Sequence, residues 1–234
     1  MTPLLLLLAL IAELMQPRAP ASRFQQLTFR TPDGTSILYG LAIPRYYDPR
    51  RPRPLVVSLH PGGERTPYYG DQFMQRIFLP GLSALDPIMV APDCPTRAWA
   101  DPAAEQAVMA LIDNVMAEYA IDRRRVLLTG FSLGGSGTWF MSSRQADRFT
   151  AAIVMAGRTD ESLERLAKIP TYIIHSRDDQ VVPFAQAEQR AAELEHMGRI
   201  VKFEALQGPG HYDLGGYVGA LQRAARWVAE QWAK

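Results

Sequence analysis

Six short apolar runs, at 55–60, 88–92, 126–129, 151–155, 171–175 and 201–205, recur along this chain, bounded by Gly, Pro or Asp. Runs of this length without polar alternation suit strands buried on both faces. Between them lie stretches of helical composition or spacing, at 103–119, 135–144, 162–166, 184–197 and 218–232. In the last of these, Leu221, Ala225, Val228 and Trp232 fall on one stripe, the mark of a helix with one buried face. Upstream, 25–30 and 37–43 flank Thr31-Pro32-Asp33-Gly34, a hairpin signal. Strands alternating with helices require a mostly parallel central sheet flanked by helices on both sides. A chain of 234 residues holds one sizeable core, and no repeat, low-complexity tract or linker divides it. The expectation is one α/β domain over 22–234.

Charge narrows the partners. The formal net charge is +1, with 21% charged residues, so nothing marks an electrostatic footprint for nucleic acid, and no nucleic-acid partner is expected. The basic clusters Arg50-Arg51-Pro52-Arg53 and Arg123-Arg124-Arg125 read as solvated loops between elements. Cys94 is the single cysteine, which precludes an intrachain disulfide and any zinc cluster built from thiolates; it is expected to be buried. No carboxylate–histidine spacing suggests a metal, and no cofactor is expected.

The beginning of the chain reads differently. Residues 4–12 are almost entirely Leu, Ile and Ala, and Ala19-Pro20-Ala21 precedes Ser22. That is the layout of a secretory signal peptide over 1–21, cleaved after Ala21, and its apolar segment is far shorter than the roughly 20 residues a membrane span needs. A secreted or periplasmic protein is expected, with no stable membrane span after processing.

Ligands of an open parallel sheet gather at the carboxyl ends of its strands. Directly after 126–129 comes Gly130-Phe131-Ser132-Leu133-Gly134, a full G-x-S-x-G. A strand reversing at once into a helix leaves room for little besides glycine on either side of Ser132, and the turn projects the hydroxyl outward. Two carboxylates, Asp178 and Asp179, follow the run 171–175, and His211 follows 201–205 on the loop Gln207-Gly208-Pro209-Gly210-His211. Serine, aspartate and histidine in that order, each at a strand end, is the order of one type of nucleophilic triad. Taken singly, each has a plainer reading as a glycine turn, a helix cap or an ordinary loop residue. A fourth strand end carries Leu59-His60-Pro61-Gly62-Gly63-Glu64. An oxyanion needs backbone donors, here Leu133 and, because Pro61 has no N–H, Gly62 or Gly63. The stretch 65–85, with Tyr68, Tyr69 and Phe73, and the loop of Trp99 are expected on the cleft rim, with partial packing into the core as the equal alternative for each aromatic. Trp139, Trp227 and Trp232 are expected in the core, while His60, His175 and His196 read as structural or exposed.

With these residues in view, the chain resembles an α/β-hydrolase-fold serine esterase. The similarity is to the compact group of phospholipase/carboxylesterase, polyhydroxybutyrate-depolymerase-like, feruloyl-esterase-like and peptidase-like members. It is carried by 59–64, Ala91-Pro92-Asp93-Cys94-Pro95 with Trp99, 119–139, 175–183 and Gly210-His211. The resemblance implies an α/β-hydrolase fold without a large lid, a Ser132–Asp179–His211 triad, and a small-molecule or polymer-linked carboxylic ester as substrate. Its acid pattern H-G-x-x-D-x-x-V-P falls on Asp179 rather than Asp178, with Ser176 in place of the glycine. Pro61 stands where many members have glycine. The same motifs admit a serine peptidase or an acyltransferase, and the fold alone admits a catalytically silent binding domain.

Overall fold

The computed structural model describes residues 22–234; the leader expected at 1–21 lies outside the described residues. Eight strands form one sheet in the order β1-β2-β4-β3-β5-β6-β7-β8. They are β1 (Arg23–Arg30), β2 (Ser36–Ile43), β3 (Arg53–Leu59), β4 (Ile88–Pro92), β5 (Ile121–Phe131), β6 (Ala151–Met155), β7 (Thr171–Ser176) and β8 (Val201–Leu206). β2 runs antiparallel to both β1 and β4, and every other pairing is parallel. The hairpin closes where Arg30 pairs with Ser36, around Gly34 at φ 91°. The helices are α1 (Tyr69–Phe73), α2 (Leu79–Leu82), α3 (Pro102–Glu118), α4 (Leu133–Arg144), α5 (Phe184–His196) and α6 (Gly215–Trp232), with a π-helical turn, Met74–Phe78, joining α1 to α2.

Successive strand residues point to opposite faces, and the core divides accordingly. Val56, Leu127, Ile153 and Ile174 pack with α6 and the helical turns of 69–85. Their neighbours Leu55, Val57 and Leu128 pack with α3, while Val154 and Ile173 pack with Trp139 of α4 and Ala187, Ala191 and Leu194 of α5. Val56, Leu127, Leu55 and Leu128 are each fully buried, so the run at 55–60 contains no polar alternation because neither face meets water. The α6 stripe works as its spacing predicts: Leu221, Ala225 and Val228 are buried, and Trp227 and Trp232 are half-buried against the same cluster.

Two expectations need correction. The segment 162–166 is a series of turns rather than a helix: Arg165 and Leu166 N–H groups reach back only three residues, and Ala167 at φ 47° ends the run. The basic clusters lie only partly in loops: Arg50, Arg51 and Pro52 are in an exposed loop as expected, and the other arginines are in strands. Arg53 opens β3, paired with Asp86, while Arg123, Arg124 and Arg125 lie in the first half of β5, where Asp122 pairs with the last two. β5 outruns its partners there, so its charged side chains reach solvent while the backbone stays extended. The stretch 65–85, left between rim and core, serves as both: it contains α1, α2 and the π-turn, with Phe73, Met74, Ile77 and Phe78 buried, while Tyr69 and Phe73 line the cleft. Of the two alternatives Trp99 takes the core, as a fully buried pillar.

Candidate active site

β5 turns into α4 at Ser132, whose backbone adopts φ 56°, ψ −115°. An L-residue in this region costs on the order of 1–3 kcal/mol and persists only when its surroundings impose it. Here they do. Ser132 N–H donates to Met155 O, and Ser136 N–H donates to Ser132 O, both at 2.9 Å. The flanking glycines are sterically required: a Cβ on Gly130 would lie 2.2 Å from Gly134 O, and one on Gly134 would lie 2.0 Å from Leu59 O. The far end of α4 is held by Glu105, a buried carboxylate on α3 that accepts from Arg144 at 2.6 Å and Gln145 at 2.5 Å.

Three residues widely separated in sequence meet at this turn. His211 Nε2 lies 2.9 Å from Ser132 Oγ, and His211 Nδ1 lies 2.8 Å from Asp179 Oδ2. A carboxylate can only accept, so Nδ1 carries the proton and the Nε2 lone pair faces the serine hydroxyl. Asp178 points elsewhere and accepts from Gly208 N–H at 2.6 Å. Asp179 Oδ1 accepts from the Val181 and Val182 N–H groups, each at 2.8 Å. Burial pushes the Asp179 carboxyl up, yet the hydrogen bonds from His211, Val182 and Val181 outweigh it and hold the group below its ordinary range.

His175, read from sequence as structural, also reaches this carboxylate. Its Nε2 is 3.0 Å from Val182 O and 3.3 Å from Asp179 Oδ2; both are acceptors, so Nε2 is protonated. One carboxylate oxygen therefore sits between two imidazoles. Burial drives the His175 pKa down, against the Val182 carbonyl and Asp179, which keeps this ring neutral. Its Nδ1 is buried without a partner among the described residues. Gln180 completes the clasp: its Oε1 accepts from His211 N–H at 3.4 Å. Nothing in the sequence singled out Gln180, since its role depends on two loops meeting.

The glycine loop after β3 is built around His60. Cys94 N–H donates to His60 Nε2 at 3.0 Å, leaving the proton on Nδ1, which donates to Pro61 O at 2.6 Å. Trp99 Nε1 donates to the His60 carbonyl at 2.9 Å, and the Tyr69 and Trp99 rings contact the imidazole edge-on. Burial lowers the His60 pKa to about 4. Arg65, unmarked in the sequence, ties this loop to the next by donating to the carbonyls of Cys94 at 3.2 Å and Arg97 at 2.7 Å, and also to that of Thr96. So braced, Gly62 packs against Leu133: a Cβ on Gly62 would stand 3.7 Å from the Leu133 side chain. Leu133, the first residue of α4, has no intrahelical acceptor for its N–H.

Ser132, Leu133, His211, Gly62 and Gly63 all line one open cleft of about 710 Å³, and Tyr69 and Phe73 form part of its wall. Tyr212 at 81% exposure and Val181 at 49% stand at its mouth. The described residues contain no inserted lid, no cluster that could hold a metal, and no helix long and apolar enough to cross a membrane.

Known proteins share parts of this sequence and its fold. Residues 96–224 match the model of the phospholipase/carboxylesterase family. A probable feruloyl esterase C of Aspergillus niger is 27% identical over 151 residues, covering 62% of this chain and 56% of that protein. Feruloyl esterase C of Emericella nidulans is 28% identical over 150 residues, with the same coverage. The chain thus spans about 56% of the length of these curated relatives. Among solved structures, a thermostable esterase superposes with a TM-score of 0.76 at 29% identity, over 88% of this chain and 62% of that one. The family match covers more than half of the residues and includes Ser132, Asp179 and His211: this chain belongs to the phospholipase/carboxylesterase family, with the α/β-hydrolase fold.

Proposed function

We propose that this protein hydrolyses carboxylic esters through an acyl-enzyme formed on Ser132. The observation that carries the reading is the hydrogen-bonded chain from Ser132 Oγ through both nitrogens of His211 to Asp179 Oδ2, at 2.9 and 2.8 Å. In the first step His211 Nε2 takes the Ser132 proton as Oγ attacks the ester carbonyl. The tetrahedral oxyanion is held by the N–H groups of Leu133 and of Gly62 or Gly63, worth about 3 kcal/mol of barrier per donor. Asp179 keeps the proton on Nδ1 and offsets the charge of the imidazolium. His211 then protonates the leaving alcohol, and water repeats the sequence to release the acid.

The aromatic wall of Tyr69 and Phe73, together with the relatives named as feruloyl esterases, favours esters of aromatic acids. The open mouth suits esters still attached to a polymer. Such substrates lie outside cells, the compartment implied by a cleaved leader; a mature protein beginning at Ser22, read by mass spectrometry after expression with export, checks that point.

The reading is tested with p-nitrophenyl acetate and methyl ferulate. Ser132→Ala is expected to lose turnover by about 10⁶-fold with unchanged circular dichroism. A fluorophosphonate probe should label the wild-type protein and leave Ser132→Ala unlabelled. Equal turnover in both proteins would overturn the proposal.

A further inference from the structure

The cleft has a second chemical feature that the transfer mechanism does not use. Of the residues lining it, Arg158 alone carries a formal charge; the others are apolar, aromatic, glycine or neutral polar, apart from the His211 imidazole. Asp179 lies behind His211 with its side chain fully buried, outside the cleft surface. An ester bound at Ser132 would therefore meet one cation and no carboxylate.

Arg158 is also held in a defined place. Gly157 packs so closely on α4 that a Cβ there would lie 2.4 Å from the Gly135 carbonyl carbon. The next N–H, that of Arg158, donates to Ser136 Oγ at 3.1 Å, one helical turn beyond the nucleophile. The backbone that carries the arginine is thus bound to the helix that presents Ser132. From this anchor Arg158 stands at the junction of three cavities. It lines the catalytic cleft, a 380 Å³ cavity beside Ser136 and Phe140, and a 240 Å³ cavity beside Trp139 and Gln186.

Its guanidinium is free to take a ligand. Two of the nearby carboxylates lie against other arginines, Glu161 at 3.6 Å from Arg165 and Glu193 at 3.9 Å from Arg190. Asp160 lines the two smaller cavities but not the catalytic cleft. Among the described residues no carboxylate comes within 4.0 Å of Arg158. A planar fork of donors at the end of an otherwise uncharged cleft matches a carboxylate in geometry and sign.

We infer that Arg158 forms an anion-reading subsite and that this cleft prefers esters bearing a carboxylate on the half that extends past Ser136. The inference rests on the proposed ester hydrolysis and adds the substrate class. Acidic sugars esterified in a polymer and hemiesters of dicarboxylic acids share this chemistry.

Two matched pairs of esters test it and identify the charged half. On the acyl side the pair is 4-nitrophenyl hydrogen glutarate and 4-nitrophenyl valerate; on the alcohol side it is 4-acetoxybenzoate and 4-methylphenyl acetate. In one pair the ratio of kcat/KM, anionic over neutral, should fall about tenfold in Arg158→Gln and further in Arg158→Glu, the loss appearing mainly in KM, as expected for a charge-assisted hydrogen bond. The wild-type ratio should also shrink as salt rises from 20 to about 500 mM, through screening at an open site. Arg226→Gln, the same charge change on an exposed residue of α6, should leave both ratios intact. Arg158 ratios unchanged in both pairs, or changed equally by Arg226→Gln, would refute the subsite while ester hydrolysis stood. No turnover of any of the four esters by the wild-type protein would instead remove the hydrolase reading itself.

Discussion

Two loops, at the ends of β5 and β8, place the nucleophile and the base, and they are built on opposite principles. The turn at Ser132 is fixed by steric contact: Gly134 has backbone where a side chain would begin, and α4 follows without an intervening residue. The loop carrying His211 is open. Gly208, at φ 103°, has nothing within 4 Å of where its Cβ would stand. That loop is held by side chains reaching in from the β7 end, Asp178 to Gly208 N–H, Gln180 to His211 N–H and Asp179 to the ring. Placement by close packing tolerates no added atom, whereas placement by hydrogen bonds tolerates bulk but not loss of an acceptor.

Substitutions that exchange these two kinds of damage would break the comparison. Asp179→Asn should cost about 10⁴-fold in kcat, because the amide reverses the imidazole tautomer while leaving the fold intact. Ester assays paired with thermal melts separate this from unfolding. Gly134→Ala comes next. A Cβ 2.0 Å from Leu59 O cannot be accommodated without moving β3 or α4, and a loss of at least 3–5 kcal/mol in urea unfolding is expected, with activity falling alongside it. Gly208→Ala, by contrast, should cost about 1–3 kcal/mol, the backbone strain at φ 103° alone, and retain most activity. Asp178→Asn should be milder still. The amide oxygen can keep the Gly208 contact, so rates should stay within roughly threefold of wild type.

A pH experiment sharpens the same contrast at the third loop. His60 is buried and neutral, its pKa lowered from 6.5 to about 4. Below 6.5 the unfolded chain binds a proton that the native state refuses, so stability is fully present above that pH. It is lost as pH falls toward 4, by an amount on the order of 3 kcal/mol. His175, also lowered by burial, adds in the same direction. Urea midpoints at pH 7 and pH 4.5 should show the loss, and His60→Gln should reduce the difference. An unchanged difference in that variant would place the acid sensitivity elsewhere.

Much of this was readable before any coordinates. Burial on both faces left uninterrupted apolar runs, and a turn with no room left glycines, because each of these constraints acts on residues adjacent in sequence. The misread or undecided segments follow the same rule in reverse. Trp99 stays undecided between rim and core until His60 and α4 close over it. Residues 162–166 have helical composition, but tertiary packing gives them only turns. Arg123 to Arg125 read as a loop because their charge hides the extended backbone they share with β5.

The linear order of Ser132, Asp179 and His211, and the strand ends that carry them, were determined by sequence alone, since strand-to-loop boundaries are local events. Only the tertiary structure decided which tautomers His60 and His211 hold, and that Arg158 lines the same cleft as Ser132. Those outcomes depend on distances between segments more than 20 residues apart, where a hydrogen bond or a charge is felt through space and leaves no periodic trace along the chain.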